Sequence, residues 1–122
     1  MNILVAGAGQ IGSLLAQMLA SGQHSVSLID SNSEHFSKIS ASSHLTTTAI
    51  DVNSDTELES FIQEHQIQVL VACLPYFANL KIAEQAAKHG CHYFDLTEDI
   101  STVSGVQKLA VGKSQAFVSR CG

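Results

Sequence analysis

Residues 2–12, Asn2-Ile3-Leu4-Val5-Ala6-Gly7-Ala8-Gly9-Gln10-Ile11-Gly12, decide the fold. An apolar run of strand length turns through Gly7, Ala8 and Gly9 into a segment whose Ile11, Leu14, Leu15, Met18 and Leu19 recur at helical spacing. The order is strand, glycine turn, helix. The glycines match G-x-G-x-x-G, and each has a physical task. Gly7 permits a tight turn, Gly9 lets a pyrophosphate approach the backbone, and Gly12 lets helix and strand pack closely. The helix N-terminus adds unpaired N–H groups and a positive dipole end.

A second strand pattern, Ser25-Val26-Ser27-Leu28-Ile29, ends in Asp30. A carboxylate about 20 residues past the glycines can accept from both ribose hydroxyls of an adenosine, which completes a dinucleotide fingerprint. Its charge also bears on cofactor choice. Two unit charges at ~4 Å interact by about 4 kcal/mol at an effective dielectric near ~20, and solvent reduces this to about 1–3 kcal/mol. A 2′-phosphate is therefore repelled, and Ser31-Asn32 supplies no cation to receive one. Of NAD and NADP, NAD is favoured.

The chain has 122 residues, 45% hydrophobic and 14% charged, enough for one core and one domain. No apolar run approaches the ~20 residues that span a bilayer, and the N-terminus carries no basic leader pattern. A cytoplasmic protein without a membrane partner is expected. The net charge is -5, and Lys38 is the one Lys or Arg before Lys81, so nucleic acid is not an expected partner. Cys73, Cys91 and Cys121 are odd in number and widely spaced, which indicates neither a disulfide framework nor a zinc site. In His89-Gly90-Cys91-His92, a helix end and its glycine explain the run without a metal.

Along the chain, Ser31-Asn32-Ser33-Glu34 reads as a cap led by Ser31, with Phe36 and Ile39 on the buried side of a short helix. A third strand is predicted over 45–50, ending at Asp51-Val52. Ser54-Asp55-Thr56-Glu57 caps a third helix whose inner residues are Leu58, Phe61 and Ile62. The apolar run 67–74 suggests a central parallel strand that Pro75 stops. Asn79 is the predicted cap of a fourth helix, with Leu80, Ala83, Ala86 and Ala87 as its inner stripe and Gly90 as its end. A strand over 93–96, a helix around Val103 to Ala110 and a strand over 116–118 complete the pattern.

Six strands alternating with five helices predict an α/β fold: a doubly wound parallel sheet of order 3-2-1-4-5-6 in three layers. Ligands in such sheets bind at the carboxyl ends of the strands, near the reversal of strand order. This places Gly7 to Gly12, Asp30, Asp51-Val52, Cys73-Leu74-Pro75 and Thr97-Glu98-Asp99 on one rim. Asp51 and Val52 lie where an adenine falls; Asp51 either accepts from its amino group or merely ends a strand. Leu74-Pro75 and Tyr76 lie where the nicotinamide half passes. Glu98 and Asp99 either orient a substrate group or a partner domain, or cap the helix from Ile100 onward.

Together with the glycine fingerprint, the stretches Ala72-Cys73-Leu74-Pro75-Tyr76-Phe77, Ile82-Ala83-Glu84-Gln85-Ala86 and His89-Gly90-Cys91-His92-Tyr93-Phe94-Asp95-Leu96-Thr97-Glu98-Asp99 resemble the N-terminal domain of the saccharopine dehydrogenase family. The resemblance covers nearly the whole chain. It implies an NAD(P)-dependent oxidoreductase acting on amino-acid-derived C–N bonds. It also implies that Gly7, Gly9, Gln10, Ile11 and Gly12 hold the pyrophosphate, Asp30 the ribose and Asp51-Val52 the adenine. Family enzymes continue past the position of Cys121-Gly122 into a substrate-binding, dimerising domain. The expectation is thus a nucleotide-binding piece whose catalytic residues lie elsewhere, inactive alone and prone to self-association. A nucleotide sensor like the Rossmann regulatory domains of potassium transport proteins is the alternative, and an inactive scaffold a third.

Overall fold

The computed structural model describes residues 1–40, 42–96 and 100–119. Six strands form one parallel sheet: β1 (Asn2–Ala6), β2 (Ser25–Asp30), β3 (Leu45–Ala49), β4 (Val69–Ala72), β5 (His92–Asp95) and β6 (Phe117–Val118). Their order is β3-β2-β1-β4-β5-β6, as the alternating pattern predicts. Register follows directly: Ile3 lies opposite Val26 on one side and Val69 on the other, and Ala6 opposite Ile29 and Ala72.

The period of two along the strands divides the core between the faces. Leu4, Ala6, Leu70, Ala72 and Tyr93 point to one face, where they meet Leu58, Phe61, Ile62, Ile82, Ala83, Ala86 and Val106. Those residues come from α2 (Asp55–Glu64), α3 (Tyr76–His89) and α4 (Ile100–Ala110). Ile3, Val5, Val26, Leu28, Val69 and Val71 point to the other face, covered by Ala16, Ala20, Leu15 and Leu19 of α1 (Gln10–Ser21) and by Phe36 and Ile39. Both faces of the central strands are thus buried, which accounts for their nearly unbroken apolar sequence.

Several local expectations change. The predicted second helix is a single 3-10 turn, Ser33–Phe36, capped by Asn32 rather than Ser31: the Asn32 side chain accepts from the Glu34 N–H at 3.0 Å. Among the described residues four α-helices therefore stand where five were expected. Helix α3 starts at Tyr76, because Pro75, with φ −54, already suits a residue flanking a helix start. Asn79 then falls inside the first turn, 2% exposed, where its Oδ1 accepts from the Leu74 N–H at 3.3 Å. In α1 the buried residues are Gly12, Ala16 and Ala20, while Ile11, Leu14 and Met18 are each 61% exposed. Small residues let this helix approach the sheet closely, and the larger apolar ones face outward. Gly22 keeps φ −83 while Gln23 takes the left-handed conformation at φ 68. The expectations for Thr97, Glu98, Asp99, Cys121 and Gly122 lie outside the described residues.

Candidate functional site

The carboxyl ends of β1, β2, β3 and β4 open onto one rim, and the glycine loop sits at its centre. Gly7 has φ 107, and a Cβ there would stand 2.4 Å from the Cys73 carbonyl oxygen. Glycine is required for both reasons. A Cβ on Gly12 would stand 1.8 Å from the Gly7 carbonyl oxygen, so helix α1 could not close on the loop. Gly9 differs: a Cβ there meets nothing within 4 Å. Two glycines are consumed by packing, and the third leaves the backbone open to an incoming group. That open approach, beside the first N–H groups of α1, suits a pyrophosphate.

Asp30 ties the loop to β2. Its Oδ2 accepts from the Ala8 N–H at 2.8 Å, and its Oδ1 accepts from the Asn32 N–H at 2.8 Å and lies 2.9 Å from His35 Nδ1. The residue is 7% exposed. Burial pushes its carboxyl up, but the Ala8 and Asn32 amides and His35 outweigh that effect and hold it below the usual value. Asp30 is therefore an anion at neutral pH. Alongside it a cleft of about 440 Å³ runs between α1 and the 3-10 turn, lined by Gly9, Gln10 and Ser13 on one side and Glu34, His35 and Lys38 on the other.

The remaining rim residues divide. Asp51 is exposed, and its Oδ1 accepts from the Asn53 N–H at 2.9 Å. Its own N–H donates to Glu57 Oε2 at 3.1 Å, so the second capping signature reaches back to Asp51. Val52 is 8% exposed and packed in the core, so it offers little surface to an adenine. Ser31 is exposed beside Asp30 but does not cap the turn. Cys73 and Leu74 pack beneath the glycine loop and Pro75 is exposed. Burial first, and the charge of Asp95 second, push the Cys73 thiol up to about 11. A thiol in that state is no nucleophile at neutral pH. His35 and Lys38 were not singled out from sequence; the one available signal was Lys38's position as the sole cation in the first 80 residues.

The His-Gly-Cys-His run is accounted for by packing. Gly90 closes α3 in the left-handed region at φ 69. Cys91 Sγ donates to the Ile67 carbonyl at 3.2 Å, and His92 Nδ1 accepts from the Ala116 N–H at 2.9 Å, which aligns β6 beside β5. Among the described residues, no three His, Cys, Asp or Glu side chains are grouped as metal ligands.

A 3-2-1-4-5-6 parallel sheet, a glycine loop open at Gly9 and an acidic residue ending β2 define a dinucleotide-binding Rossmann domain. The sequence profile of the saccharopine dehydrogenase NADP binding domain matches residues 3–116. The chain belongs to that family. Apo saccharopine dehydrogenase (L-Glu forming) from Saccharomyces cerevisiae is similar in structure, with TM-score 0.82 and 15% identity, over 99% of this chain and 27% of that one. The holo form of GalE-like L-threonine dehydrogenase from Cupriavidus necator matches with TM-score 0.73 and 18% identity, over 98% of this chain and 53% of that one. The Bordetella bronchiseptica enzyme WbmH in complex with NAD+ matches with TM-score 0.65 and 18% identity, over 76% and 38%. At these identities the likeness is one of fold, and the chain spans about a quarter to a half of each relative's length. A comparison with curated protein sequences gives no match.

Proposed function

We propose that this chain is the nucleotide-binding part of an oxidoreductase that transfers hydride to or from an amino-acid-derived C–N bond, with NAD preferred over NADP. The observation that carries the reading is the Asp30 carboxylate bonded to the Ala8 N–H next to the open backbone of Gly9. It fixes the acidic group and the phosphate approach in one rigid frame. The nicotinamide, when bound, supplies the hydride chemistry at its C4. This chain's residues supply position: Gly9, Gln10, Ile11 and the start of α1 face the pyrophosphate, and Asp30, with Ser31 beside it, faces the adenosine ribose. Gly7 and Gly12 shape the loop, Asp51-Val52 border the adenine, and Cys73-Leu74-Pro75 border the nicotinamide half.

The Asp30 charge supports the preference for NAD, since a 2′-phosphate beside it is repelled. Substrate-binding and acid–base groups are proposed to lie in a further domain, so the 122-residue chain alone binds cofactor without turnover. Among the described residues no helix is long and apolar enough to cross a membrane, and a cytoplasmic compartment is part of the proposal. Neither nucleic acid nor membrane is proposed as a partner. Self-association is: Leu14 and Met18 of α1 are exposed apolar side chains that offer a second copy an apolar face.

Calorimetric titration with NAD and NADP at neutral pH tests the cofactor reading. Tighter binding of NAD is expected, and NADP binding about tenfold more tightly would overturn the preference. Turnover of saccharopine by the 122-residue chain alone would overturn the placement of the catalytic groups.

A further inference from the structure

The strand-to-helix turn proposed to border the nicotinamide half is held from below by a hydrogen-bonded chain of buried polar groups. Tyr93 and Asp95 lie two residues apart on β5, so both side chains project from the same face of the sheet. Each is fully buried, and Asn79, in the first turn of α3, is nearly so. The Tyr93 hydroxyl lies 2.5 Å from Asp95 Oδ2 and 3.2 Å from the Asn79 carbonyl oxygen, so its one proton is shared between two acceptors. Ser119, just past β6, donates to the same Asp95 oxygen at 3.1 Å. At the other end, Asn79 Oδ1 accepts from the Leu74 N–H at 3.3 Å. The chain thus runs from the ends of β5 and β6, through α3, to the backbone that follows β4.

Packing alone does not call for these groups. A phenylalanine would fill the place of Tyr93 in the apolar cluster that also holds Leu70, Ile82 and Val106. A buried polar network adds little net stability over an apolar isostere, but it fixes one geometry when its members are satisfied. What this one fixes is the turn. The Cys73 N–H donates to the Ala6 carbonyl at 2.8 Å, the Leu74 N–H is taken by Asn79, and Pro75 has none. The turn therefore offers a ligand carbonyl oxygens and apolar atoms but no amide N–H. Leu74 also lies against the glycine loop, where a Cβ on Gly7 would stand 3.2 Å from its Cδ2. The adenosine side is held separately, by Asp30 on the Ala8 and Asn32 amides. Resting on the reading that Cys73-Leu74-Pro75 border the nicotinamide half, we propose that Tyr93 and Asn79 are positioning residues for that half alone. Tyr93, oriented by Asp95, fixes the first turn of α3. Asn79 then fixes Leu74, and the turn meets the nicotinamide end in one conformation, while ribose and pyrophosphate on the adenosine side bind without them.

NAD and ADP-ribose, which lacks the nicotinamide, separate the two ends of the ligand. The test is calorimetric titration of each into the wild-type chain, Tyr93→Phe and Asn79→Ala, with circular dichroism and thermal unfolding recorded on all three. Wild type is expected to bind NAD more tightly than ADP-ribose. In Tyr93→Phe the NAD dissociation constant rises about fivefold, and in Asn79→Ala about tenfold, while ADP-ribose stays within about twofold. A merely structural role moves both ligands together, or lowers the unfolding temperature and moves neither. Either result overturns the proposal, as does equal affinity of wild type for NAD and ADP-ribose, and each leaves adenosine-side binding standing. Tyr93→Phe keeps the ring and its packing, so it decides the matter even where Asn79→Ala does not fold. Binding of neither ligand by wild type overturns the dinucleotide reading as well.

Discussion

The carboxylate of Asp30, at the end of β2, accepts the backbone N–H of Ala8, in the turn after β1, at 2.8 Å. Backbone pairing runs alongside, with the Gly7 N–H donating to the Ile29 carbonyl at 2.8 Å. Loop position and acidic residue are therefore one structural unit. A substitution at Asp30 disturbs the glycine loop before any ligand arrives.

The first consequence concerns stability and its pH dependence. Asp30→Asn places an amide N–H₂ where at least one backbone N–H needs an acceptor, a loss of about 1–3 kcal/mol and of roughly 5–10 °C in Tm. Because the folded carboxyl lies below its ordinary value of 3.8, its contribution is present above that value and is lost as pH falls through the folded one. Urea unfolding of wild type and variant from neutral to acid pH checks this. The gap between them closes below about pH 4, and a gap of constant size would contradict the assignment.

Much of this frame was legible in sequence, because it rests on patterns with a fixed period or a fixed turn. The alternation of Ile3 and Val5 against Leu4 and Ala6 sets the faces of β1, and Gly7-Ala8-Gly9 sets the turn. What escaped depends on contacts between segments. Asn79 looks like a cap, yet its side chain supports the Leu74 N–H across the strand-to-helix turn. Gly105 lies inside α4, where helix propensity alone disfavours glycine, yet a Cβ there would stand 2.7 Å from Leu80 Cδ1 of α3. His35 and Lys38 reach the cleft only because 33–36 fold as one 3-10 turn, a choice that local propensity does not reveal.

Cys73 gives a chemical check on burial. With its thiol pushed up to about 11 from an ordinary 9.0, the thiolate fraction at mildly alkaline pH falls about 100-fold. Iodoacetamide labelling followed by peptide mapping is expected to show Cys73 modified about 100-fold more slowly than a free cysteine peptide. Labelling at the peptide's rate would show that the loop above Cys73 opens.

The outward face of α1 makes a prediction about assembly. Replacing Leu14 and Met18 by Gln removes exposed apolar surface without touching the buried Gly12, Ala16 and Ala20. Sedimentation of the wild type is expected to show concentration-dependent association, reduced about tenfold in the double variant. A wild-type chain that stays monomeric at high concentration would remove this interface from the account.

The glycines separate fold from function most cleanly. Gly12→Ala sets a methyl carbon 1.8 Å from the Gly7 carbonyl oxygen and is expected to unfold the loop. Gly9→Ala projects its methyl into open space, at a helix-capping position where the change costs about 1 kcal/mol or less. The decisive measurement is therefore calorimetric titration of NAD into wild type and Gly9→Ala, with thermal unfolding of both recorded alongside. Wild type is expected to bind, and Gly9→Ala to unfold within about 5 °C of it but to bind at least about tenfold more weakly. Equal affinity in the two proteins, or no binding by wild type, would contradict it.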